Sequence, residues 1–285
     1  MEINGKTKLM GLIGNPVEHT LSPVIHNTIA ETMNENMVYV PFPVKKDLED
    51  AIKGAYALGV QGMNITVPYK SEVIPCLVDI DNQAEIIGAV NTLVRVENGY
   101  KGYNTDLPGL YRAIRSEGIE VKNNKVIIVG AGGAARAAAF MCVFNGAGSL
   151  VILNRTVEKA ERIMEEVQEK TGFSNVKAMS ITDYAKIEGD GYLVLQATKV
   201  GLYPNVDDTP IADPDFFKKA EVVYDLIYTP EETAFMKLAK QQGVEAYNGL
   251  KMLLYQGVAA YEMWNNVAVP EEVVEKAYRA LLSKL

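Results

Sequence analysis

The segment KVIIVGAGGAARAAAFMCVFNGAG at 125–148 gives the clearest indication of the fold. It starts with an apolar run of strand length, continues through a glycine-rich turn, and ends in a run of small residues long enough for a helix. A buried strand, a tight turn and a helix in this order are typical of a parallel α/β sheet with helices on both faces. We therefore predict that a doubly wound sheet is built around this segment.

The residues after this stretch repeat the same alternation. Strand candidates lie at 149–153, 192–198 and 221–228, and a charged helical segment lies at 157–169. Strands that alternate with helices indicate βαβ units and a parallel sheet. We predict a Rossmann-like domain over residues 108–248.

The residues before it alternate in the same way but with shorter elements. The predicted elements are strands at 8–14, 37–44 and 62–69, helices at 22–35, 46–59 and 106–118, a helix-prone region at 71–87, and a hairpin around Asn98-Gly99. Two amphipathic helices at the other end, 250–264 and 271–285, have no strand of their own and need a surface to pack on. We therefore predict a mixed-sheet α/β domain formed by residues 1–107 together with 249–285.

The composition excludes several classes of protein. Hydrophobic residues make up 48% of the chain and charged residues 22%, which is typical of a globular protein. The formal net charge of −8 disfavours binding to nucleic acid or to an anionic membrane, and no apolar stretch approaches the roughly 20 residues of a membrane helix. Cys76 and Cys142 lie far apart, so neither a disulfide framework nor a metal site is indicated. With no signal-peptide pattern at the start of the chain, we expect a cytoplasmic protein.

The glycine-rich turn satisfies the G-x-G-x-x-G/A pattern that binds dinucleotides. In such a loop the first glycine permits the sharp turn, and the second lets the backbone approach a pyrophosphate at the N-terminus of the helix. The residues expected to contact the cofactor are Gly130, Ala131, Gly132, Gly133 and Ala134. The alternative is a glycine-rich turn that binds nothing.

The end of the second strand of this domain distinguishes the two nicotinamide cofactors. NAD enzymes place an acidic side chain there to hold the ribose hydroxyls. This chain has Asn154-Arg155-Thr156, with Lys159 one helical turn later, and none of these residues is acidic. Two cations and a hydroxyl fit the 2′-phosphate of NADP, so we predict NADP. The alternative is that Arg155 and Lys159 belong to a solvated helix start.

Polar residues gather at the strand ends of the first domain. They lie at 14–23, 64–70, 89–92 and 102–106. Polar clusters at strand ends line ligand sites in α/β folds, and these predict a small, oxygen-rich ligand. Taken one at a time, however, Ser22 and Asp106 could be helix caps and His19 a structural histidine.

Taken together, these motifs resemble the shikimate dehydrogenase family from Gly14 to Gln256. The matching segments are G-x-P-x-x-H-[ST]-x-S-P-x-x-H-N at 14–27, N-x-T-x-P-x-K at 64–70, G-A-V-N-T at 88–92, G-x-N-T-D at 102–106, the glycine loop at 130–133, N-R-T at 154–156, D-x-x-Y-x-P at 225–230 and N-G-L-x-M-L at 248–253. The resemblance implies a split substrate domain with an NADP domain between its parts.

The resemblance also implies an activity and roles for individual residues. The activity is reversible, NADP-dependent reduction of 3-dehydroshikimate to shikimate, a step towards aromatic amino acids. The implied catalytic pair is Lys70 with Asp106. The implied substrate contacts are Thr20, Ser22, Asn64, Thr66, Asn91, Tyr228 and Gln256. Thr198 and Gly249 join the cofactor-binding residues, and the implied state is a monomer or homodimer.

The chain departs from the family pattern at a few positions. Thr20 stands where serine is usual, Gln196 stands for the asparagine of N-A-T, and Leu202 stands where methionine is frequent. Threonine keeps a hydroxyl donor but adds a methyl group beside the implied carboxylate pocket. Quinate, which carries one more hydroxyl than shikimate, therefore remains an alternative substrate. An NADP-binding sensor without catalysis is the alternative from another class, against which the retention of both Lys70 and Asp106 argues.

Overall fold

The computed structural model describes residues 2–285, which form two compact units. One unit runs up to Gly109 and resumes at Leu253–Leu285, and the other is Leu110–Met252. Both changes of unit fall inside helices, α4 (Asp106–Ser116) and α8 (Leu250–Asn265). A continuous helix leaves no linker in the sequence, which is why the predicted boundaries lie at the starts of these two helices instead.

The first unit is built on a six-stranded sheet in the order β2-β1-β3-β5-β6-β4. Its strands are β1 (Lys8–Gly14), β2 (Met37–Pro43), β3 (Gly62–Ile65), β4 (Asp79–Ile80), β5 (Thr92–Val96) and β6 (Gly99–Tyr103), and its other helices are α1 (Ser22–Thr32), α2 (Leu48–Ala57), α3 (Asn82–Ile87) and α9 (Glu271–Leu282). Only β5 runs against the others, so the predicted mixed sheet is confirmed.

This strand order gathers the polar clusters at one edge of the sheet. The carboxyl ends of the parallel strands β1, β3 and β6 lie at the same edge as the amino end of β5, where Thr92 pairs with both Asn64 and Tyr103. The segments after β1, β3 and β6 and the segment before β5 therefore meet there.

The helix-prone region predicted at 71–87 is wrong over most of its length. It contains a short 3₁₀ turn at Ile74–Cys76 and the two-residue strand β4 before α3 begins. Pro75 interrupts any α-helix, and the Asp81 carboxylate caps α3 by accepting from the backbone N–H of Gln83 at 3.0 Å.

The second unit is a six-stranded sheet in the order β12-β11-β10-β7-β8-β9, in which every pairing is parallel. Its strands are β7 (Lys125–Val129), β8 (Ser149–Asn154), β9 (Val176–Ser180), β10 (Tyr192–Gln196), β11 (Ala220–Asp225) and β12 (Glu245–Tyr247), and its other helices are α5 (Gly133–Phe144), α6 (Val157–Thr171) and α7 (Ala234–Gln241). The order reverses between β7 and β10. This is the switch point of a doubly wound sheet, and the Rossmann-like prediction is confirmed.

Within residues 2–285, none of the helices combines the length and apolar character needed to cross a membrane.

Candidate active site

An ion pair lies at the polar edge of the first unit. Lys70 Nζ is 2.6 Å from Asp106 Oδ2, and Asn91 Nδ2 donates to Asp106 Oδ1 at 2.8 Å. The side chain of Lys70 is 34% exposed and that of Asp106 is 17% exposed. Both carboxylate oxygens are therefore engaged, while the ammonium group keeps N–H donors directed at solvent.

The backbone of Lys70 is anchored on both sides. A turn after β3 is closed by the Tyr69 N–H, which donates to Thr66 O at 2.9 Å, and the Val90 N–H donates to Lys70 O at 2.7 Å. The Tyr69 hydroxyl also donates to Val44 O at 2.7 Å. The ammonium group is thus held on a fixed stem beside the residues that lead into β5.

The amide orientation of Asn91 follows from its partners. Its Oδ1 accepts from the backbone N–H of Thr105 at 2.7 Å and lies 3.0 Å from the hydroxyl of Thr92. Because a backbone N–H can only donate, the oxygen must face Thr105, and the NH₂ group must then face the carboxylate of Asp106. Asn91, predicted as a substrate contact, therefore also holds the carboxylate of the ion pair.

Asp106 does not act as the N-cap of α4, which is the alternative role that the sequence offers for it. It is the first residue of α4, and its own N–H donates to the Asn104 side-chain oxygen at 3.0 Å. Asn104 supplies the turn at the helix start, which leaves the Asp106 carboxylate free to pair with Lys70.

The hydroxyls of Thr20 and Ser22 lie side by side. Their oxygens are 3.2 Å apart, and the Ser22 N–H donates to Thr20 Oγ1 at 3.3 Å. No side-chain capping bond is made at the start of α1. The reading of Ser22 as a helix cap is therefore wrong, and the two hydroxyls form a hydrogen-bonded pair in which Thr20 donates to Ser22.

Asn64, predicted as a substrate contact, makes its hydrogen bonds inside the protein. It is buried, and its Nδ2 donates to Asn91 O at 3.2 Å and to Thr92 Oγ1 at 3.1 Å, while its Oδ1 accepts from the Tyr39 hydroxyl at 2.8 Å. Both amide hydrogens are used inside the protein. The geometry favours a supporting role for Asn64, which supplies no free donor to a ligand.

Two other predicted substrate contacts are located by glycines. A Cβ on Gly14 would come within 2.3 Å of Thr66 Cγ2, so the end of β1 lies directly against Thr66. A Cβ on Gly109 would come within 2.7 Å of Gln256 Cβ, so α8 packs against the first turn of α4, next to Asp106. The Gln256 amide donates to Leu253 O at 2.9 Å.

A pocket of about 650 Å³ lies at the switch point of the second unit. Nearly all predicted cofactor-binding residues line it: Gly130, Ala131, Gly132, Gly133, Ala134, Asn154, Arg155, Thr156, Lys159 and Thr198. Gly130 has a φ of +117° and lies where a Cβ would come 3.0 Å from Ala197 O, so the turn requires glycine. Gly132 precedes α5 without a side-chain cap, which leaves the first backbone N–H groups of that helix free for an anion.

The charge of this pocket is positive at one end. Arg155 and Lys159 are exposed in its wall, and within the part of the chain from 2 to 285 neither makes an ion pair. None of the described lining residues is an aspartate or glutamate. A free helix N-terminus and two free cations, with no carboxylate to repel a 2′-phosphate, fit NADP.

A buried hydrogen-bond network shapes the pocket wall at the ends of β10 and β11. Gln196 donates to Asp225 Oδ1 at 3.2 Å and accepts from the backbone N–H of Thr198. Asp225 also accepts from the Ile227 N–H at 3.0 Å and the Thr233 hydroxyl at 2.7 Å. Burial raises the pKa of this carboxyl to about 6, and the three hydrogen bonds oppose that shift. Gln196 therefore orients the backbone at Thr198.

Two predicted site residues have different surroundings from those expected. Tyr228, predicted as a substrate contact, lies in the wall of the nucleotide pocket, and burial raises its pKa. Gly249, predicted to bind the cofactor, is required by packing, because a Cβ there would come within 2.2 Å of Leu226 O.

Several lining residues of this pocket were not predicted individually. They are Ala197, Lys199, Leu202, Leu226, Ile227 and Thr229. All follow the carboxyl ends of β10 and β11, so the position of those strands beside the switch point was the signal that could have found them. Among residues 2–285, no group of three or more His, Cys, Asp or Glu side chains is placed to hold a metal.

Three segments of the chain match family models of known proteins. Residues 12–93 match the shikimate dehydrogenase substrate binding domain, residues 113–199 match the shikimate / quinate 5-dehydrogenase model, and residues 249–277 match the shikimate 5′-dehydrogenase C-terminal domain. The shikimate dehydrogenase (NADP(+)) of Methanothermobacter thermautotrophicus is 40% identical over 99% of both chains. This chain belongs to the shikimate dehydrogenase family.

Solved structures of the family have the same architecture. A crystal structure of a shikimate dehydrogenase in complex with NADP⁺ aligns with a TM-score of 0.88 at 39% identity, covering 99% of this chain and 97% of that one. Quinate dehydrogenase from Corynebacterium glutamicum in complex with NAD aligns with a TM-score of 0.87 at 28% identity, covering 97% and 99%.

Proposed function

We propose that this chain is an NADP-dependent dehydrogenase that interconverts 3-dehydroshikimate and shikimate. The observation that carries the proposal is the ion pair of Lys70 with Asp106, braced by Asn91 at the polar edge of the first unit. Family membership and the charge of the nucleotide pocket support it. The first unit supplies the substrate site and the second unit the cofactor site.

The reaction requires a proton at the substrate oxygen. NADPH held in the nucleotide pocket would supply a hydride to the ketone carbon, and negative charge would then develop on the ketone oxygen. Lys70 Nζ donates a proton to this oxygen in the reduction and accepts the hydroxyl proton in the oxidation. Asp106 orients the ammonium group through the 2.6 Å contact. The neighbouring hydroxyls of Thr20 and Ser22 hold the substrate carboxylate.

The nucleotide pocket supports NADP as the cofactor. Arg155 and Lys159 supply cationic donors for a 2′-phosphate, and Thr156 supplies a hydroxyl between them. The backbone N–H groups at the start of α5 receive the pyrophosphate.

A spectrophotometric assay of the purified chain tests the proposal. Shikimate and quinate are each offered with NADP⁺ and with NAD⁺, and 3-dehydroshikimate is offered with NADPH. We expect the highest kcat/KM for shikimate with NADP⁺. NADPH binding without turnover of any of the three substrates would support a sensor and contradict the proposal.

Quinate is the second candidate substrate, because residues 113–199 match the shikimate / quinate 5-dehydrogenase model and a quinate dehydrogenase aligns with a TM-score of 0.87. Thr20 presents a methyl group beside the hydroxyl pair, which alters the shape of the proposed carboxylate pocket. A higher kcat/KM for quinate than for shikimate in the same assay would select this candidate.

We further propose that the enzyme acts in the cytoplasm as a monomer or homodimer. The two cysteines, Cys76 and Cys142, form no disulfide, which supports a reducing compartment. Light scattering coupled to size-exclusion chromatography determines the oligomeric state, and a mass above twice 31.3 kDa would contradict it.

A further inference from the structure

Lys199 follows the carboxyl end of β10 and lines the nucleotide pocket. Its side chain is exposed, and among residues 2–285 it has no ion-pair partner. Asp208 lies in the wall of a smaller adjoining hollow that Lys199 also lines, but the two side chains form no ion pair. The pocket wall therefore holds a third free cation besides Arg155 and Lys159, and the proposed function gives it no task.

The backbone on both sides of Lys199 is held by hydrogen bonds. The Thr198 N–H donates to Gln196 Oε1 at 2.5 Å, and the Val200 N–H donates to Thr198 Oγ1 at 3.1 Å. Gln196, which is buried, also donates from Nε2 to Val200 O at 3.4 Å. The side chain of Lys199 therefore starts from a fixed point, although the ammonium group at its end can move.

This fixed point lies directly beside the glycine-rich turn. β7 and β10 are parallel neighbours, and the Ala197 N–H donates to Val129 O at 2.8 Å. A Cβ on Gly130 would come 3.0 Å from both Ala197 O and Thr198 Cγ2. The residues that lead into Lys199 thus pack against the first glycine of the turn, just before the start of α5.

The three cations of the pocket lie on two sides of that turn. Arg155 and Lys159 follow β8, which is the neighbour of β7 on one side, and Lys199 follows β10, which is the neighbour on the other side. Since adjacent strands lie about 4.8 Å apart, β8 and β10 are separated by about 10 Å. A 2′-phosphate held on the β8 side therefore leaves Lys199 available for another anionic group of the same cofactor.

We propose that Lys199 binds the pyrophosphate of the cofactor, an inference that rests on the nucleotide site of the proposed function. The start of α5 places the pyrophosphate at the glycine-rich turn, because no side-chain cap occupies the first N–H groups of that helix. The ammonium group of Lys199 adds a charge-assisted hydrogen bond from the β10 side. Lys199 serves NADP and NAD alike, since both carry a pyrophosphate, whereas Arg155 serves NADP alone.

This difference separates the two cations in steady-state kinetics. Lys199→Ala should raise the KM for NADP⁺ and the KM for NAD⁺ by the same factor, about five- to thirtyfold, because the lost bond is to a group that both cofactors share. Arg155→Ala should raise only the KM for NADP⁺. Lys199→Arg keeps the charge, so both of its Michaelis constants should stay within about threefold of wild type.

Binding of two adenosine nucleotides tests the assignment without turnover. ADP carries a pyrophosphate and no 2′-phosphate, whereas adenosine 2′-monophosphate carries a 2′-phosphate and no pyrophosphate. In calorimetry with the purified chain, Lys199→Ala should raise the Kd for ADP about five- to thirtyfold and change the Kd for adenosine 2′-monophosphate by less than about twofold. Arg155→Ala should show the reverse pattern.

Lys177→Ala is the matched control. Lys177 is an exposed lysine of β9 in the same unit, has no ion-pair partner among the described residues, and does not line the pocket. Its loss should leave both Kd values unchanged, which separates a contact with the pyrophosphate from a general effect of net charge. Because both lysines are exposed, neither variant should lose thermal stability.

The results for ADP decide the inference. An unchanged Kd for ADP in Lys199→Ala, an equal weakening of ADP in Lys177→Ala, or a weakening confined to adenosine 2′-monophosphate would overturn it. If wild type bound neither nucleotide, the nucleotide site of the proposed function would be wrong, and the inference with it. A chain that binds ADP in the expected pattern but turns over neither shikimate nor 3-dehydroshikimate would uphold the inference and overturn only the proposed reaction.

Discussion

The amide of Asn91 sets the geometry around the ion pair of Lys70 and Asp106. Its oxygen accepts from the Thr105 N–H at 2.7 Å, and its NH₂ group therefore donates to Asp106 Oδ1 at 2.8 Å. The carboxylate receives one partner on each oxygen, so it cannot rotate. A fixed carboxylate holds the ammonium group at one position, as proton transfer to a defined substrate oxygen requires.

The hydroxyl of Thr20 gives a prediction about substrate binding. Thr20→Val keeps the shape of the side chain and removes the donor. Losing one hydrogen bond to a charged group should cost about 1.5–3 kcal/mol of transition-state stabilisation. The kcat/KM for shikimate should therefore fall roughly ten- to 150-fold. Steady-state kinetics with shikimate measure it.

Thr20→Ser is the control for this prediction, because it keeps the hydroxyl and removes only the methyl group. Its kcat/KM for shikimate should stay within about threefold of wild type. Shikimate kinetics that are untouched in Thr20→Val would show that the residue does not contact the substrate.

His26 gives a prediction about acid stability. Burial lowers the pKa of its imidazole to about 3, with the Asn64 side chain opposing that shift. The unfolded chain, with an ordinary histidine pKa, takes up a proton below about pH 6.5, whereas the folded chain does not. The stability that the neutral, buried His26 contributes is therefore fully present above about pH 6.5, and it is lost as the pH falls towards 3. Between pH 7 and pH 5 the loss should be about 2 kcal/mol.

Urea unfolding of wild type and His26→Phe across this pH range measures the effect. The variant keeps an aromatic ring against Tyr39 but has no group to protonate. Between pH 7 and pH 5 its free energy of unfolding should therefore fall by about 2 kcal/mol less than that of wild type. The matched control is His19→Gln, which removes an exposed imidazole from the same segment. Parallel pH profiles for wild type and His26→Phe would contradict the prediction.

The sequence predicts the residues that carry charge better than those that position them. Lys70 and Asp106 are recognisable because their motifs place them at strand ends. Tyr39 lies in the middle of a strand and looks like any core aromatic residue, and the burial of Asn64 depends on strand pairing that no local pattern specifies. Contacts between residues distant in sequence form only when the sheet is assembled.

The turn between β8 and α6 should select the cofactor. Arg155 and Lys159 line the pocket without ion-pair partners among residues 2–285. Removing one charge-assisted hydrogen bond by Arg155→Ala should raise the KM for NADP⁺ about ten- to a hundredfold, while the KM for NAD⁺ changes little. Kinetics with the two cofactors measure this difference.

Arg162→Ala is the control, since Arg162 is an exposed cation of the same helix outside the pocket wall. It should leave both Michaelis constants near their wild-type values. Equal losses with both cofactors in Arg155→Ala would contradict the assignment of that side chain to the 2′-phosphate.

The carboxyl end of β11 should make stability depend on pH in the opposite sense to His26. Burial raises the pKa of Asp225 to about 6, above its unfolded value. The folded chain therefore holds a proton that the unfolded chain releases, so this stabilisation is present below about pH 3.8 and is lost as the pH rises through 6. Between pH 4.5 and pH 7 the loss should be about 2 kcal/mol.

Asp225→Asn is the variant that tests it, because it cannot ionise and can still bond with Thr233. The free energy of unfolding of each protein is measured in urea at pH 4.5 and at pH 7. The value for Asp225→Asn minus the value for wild type should be about 2 kcal/mol higher at pH 7 than at pH 4.5. A constant difference between the two proteins across that range would show that Asp225 titrates normally.

At the level of elements, periodicity predicts the central strands and fails at the edges. β7 and β10 are buried and apolar, and their patterns were unambiguous. The edge strands β9 and β12 and the helix α7 were not predicted, because a short strand on one edge of a sheet carries little apolar signal. β4 is only two residues long, and its pairing with β6 depends on the hairpin formed by β5 and β6.

At the scale of the whole molecule, the proposal assigns separate tasks to the two units. The ion pair and the hydroxyl pair belong to the first unit, and the nucleotide pocket belongs to the second. Removing the ammonium of Lys70 or the charge of Asp106 in the first unit should therefore lower turnover while the second unit still binds NADPH.

The most direct test is turnover and NADPH binding in Lys70→Ala, Asp106→Asn and the double variant. Lys101→Ala is the control, because Lys101 pairs with Asp79 in the same unit, outside the proposed site. We predict that kcat falls by about 10²- to 10⁴-fold in each single variant and little further in the double variant, with NADPH affinity unchanged. A near-normal kcat in Lys70→Ala at saturating shikimate would contradict the proton-transfer role of Lys70.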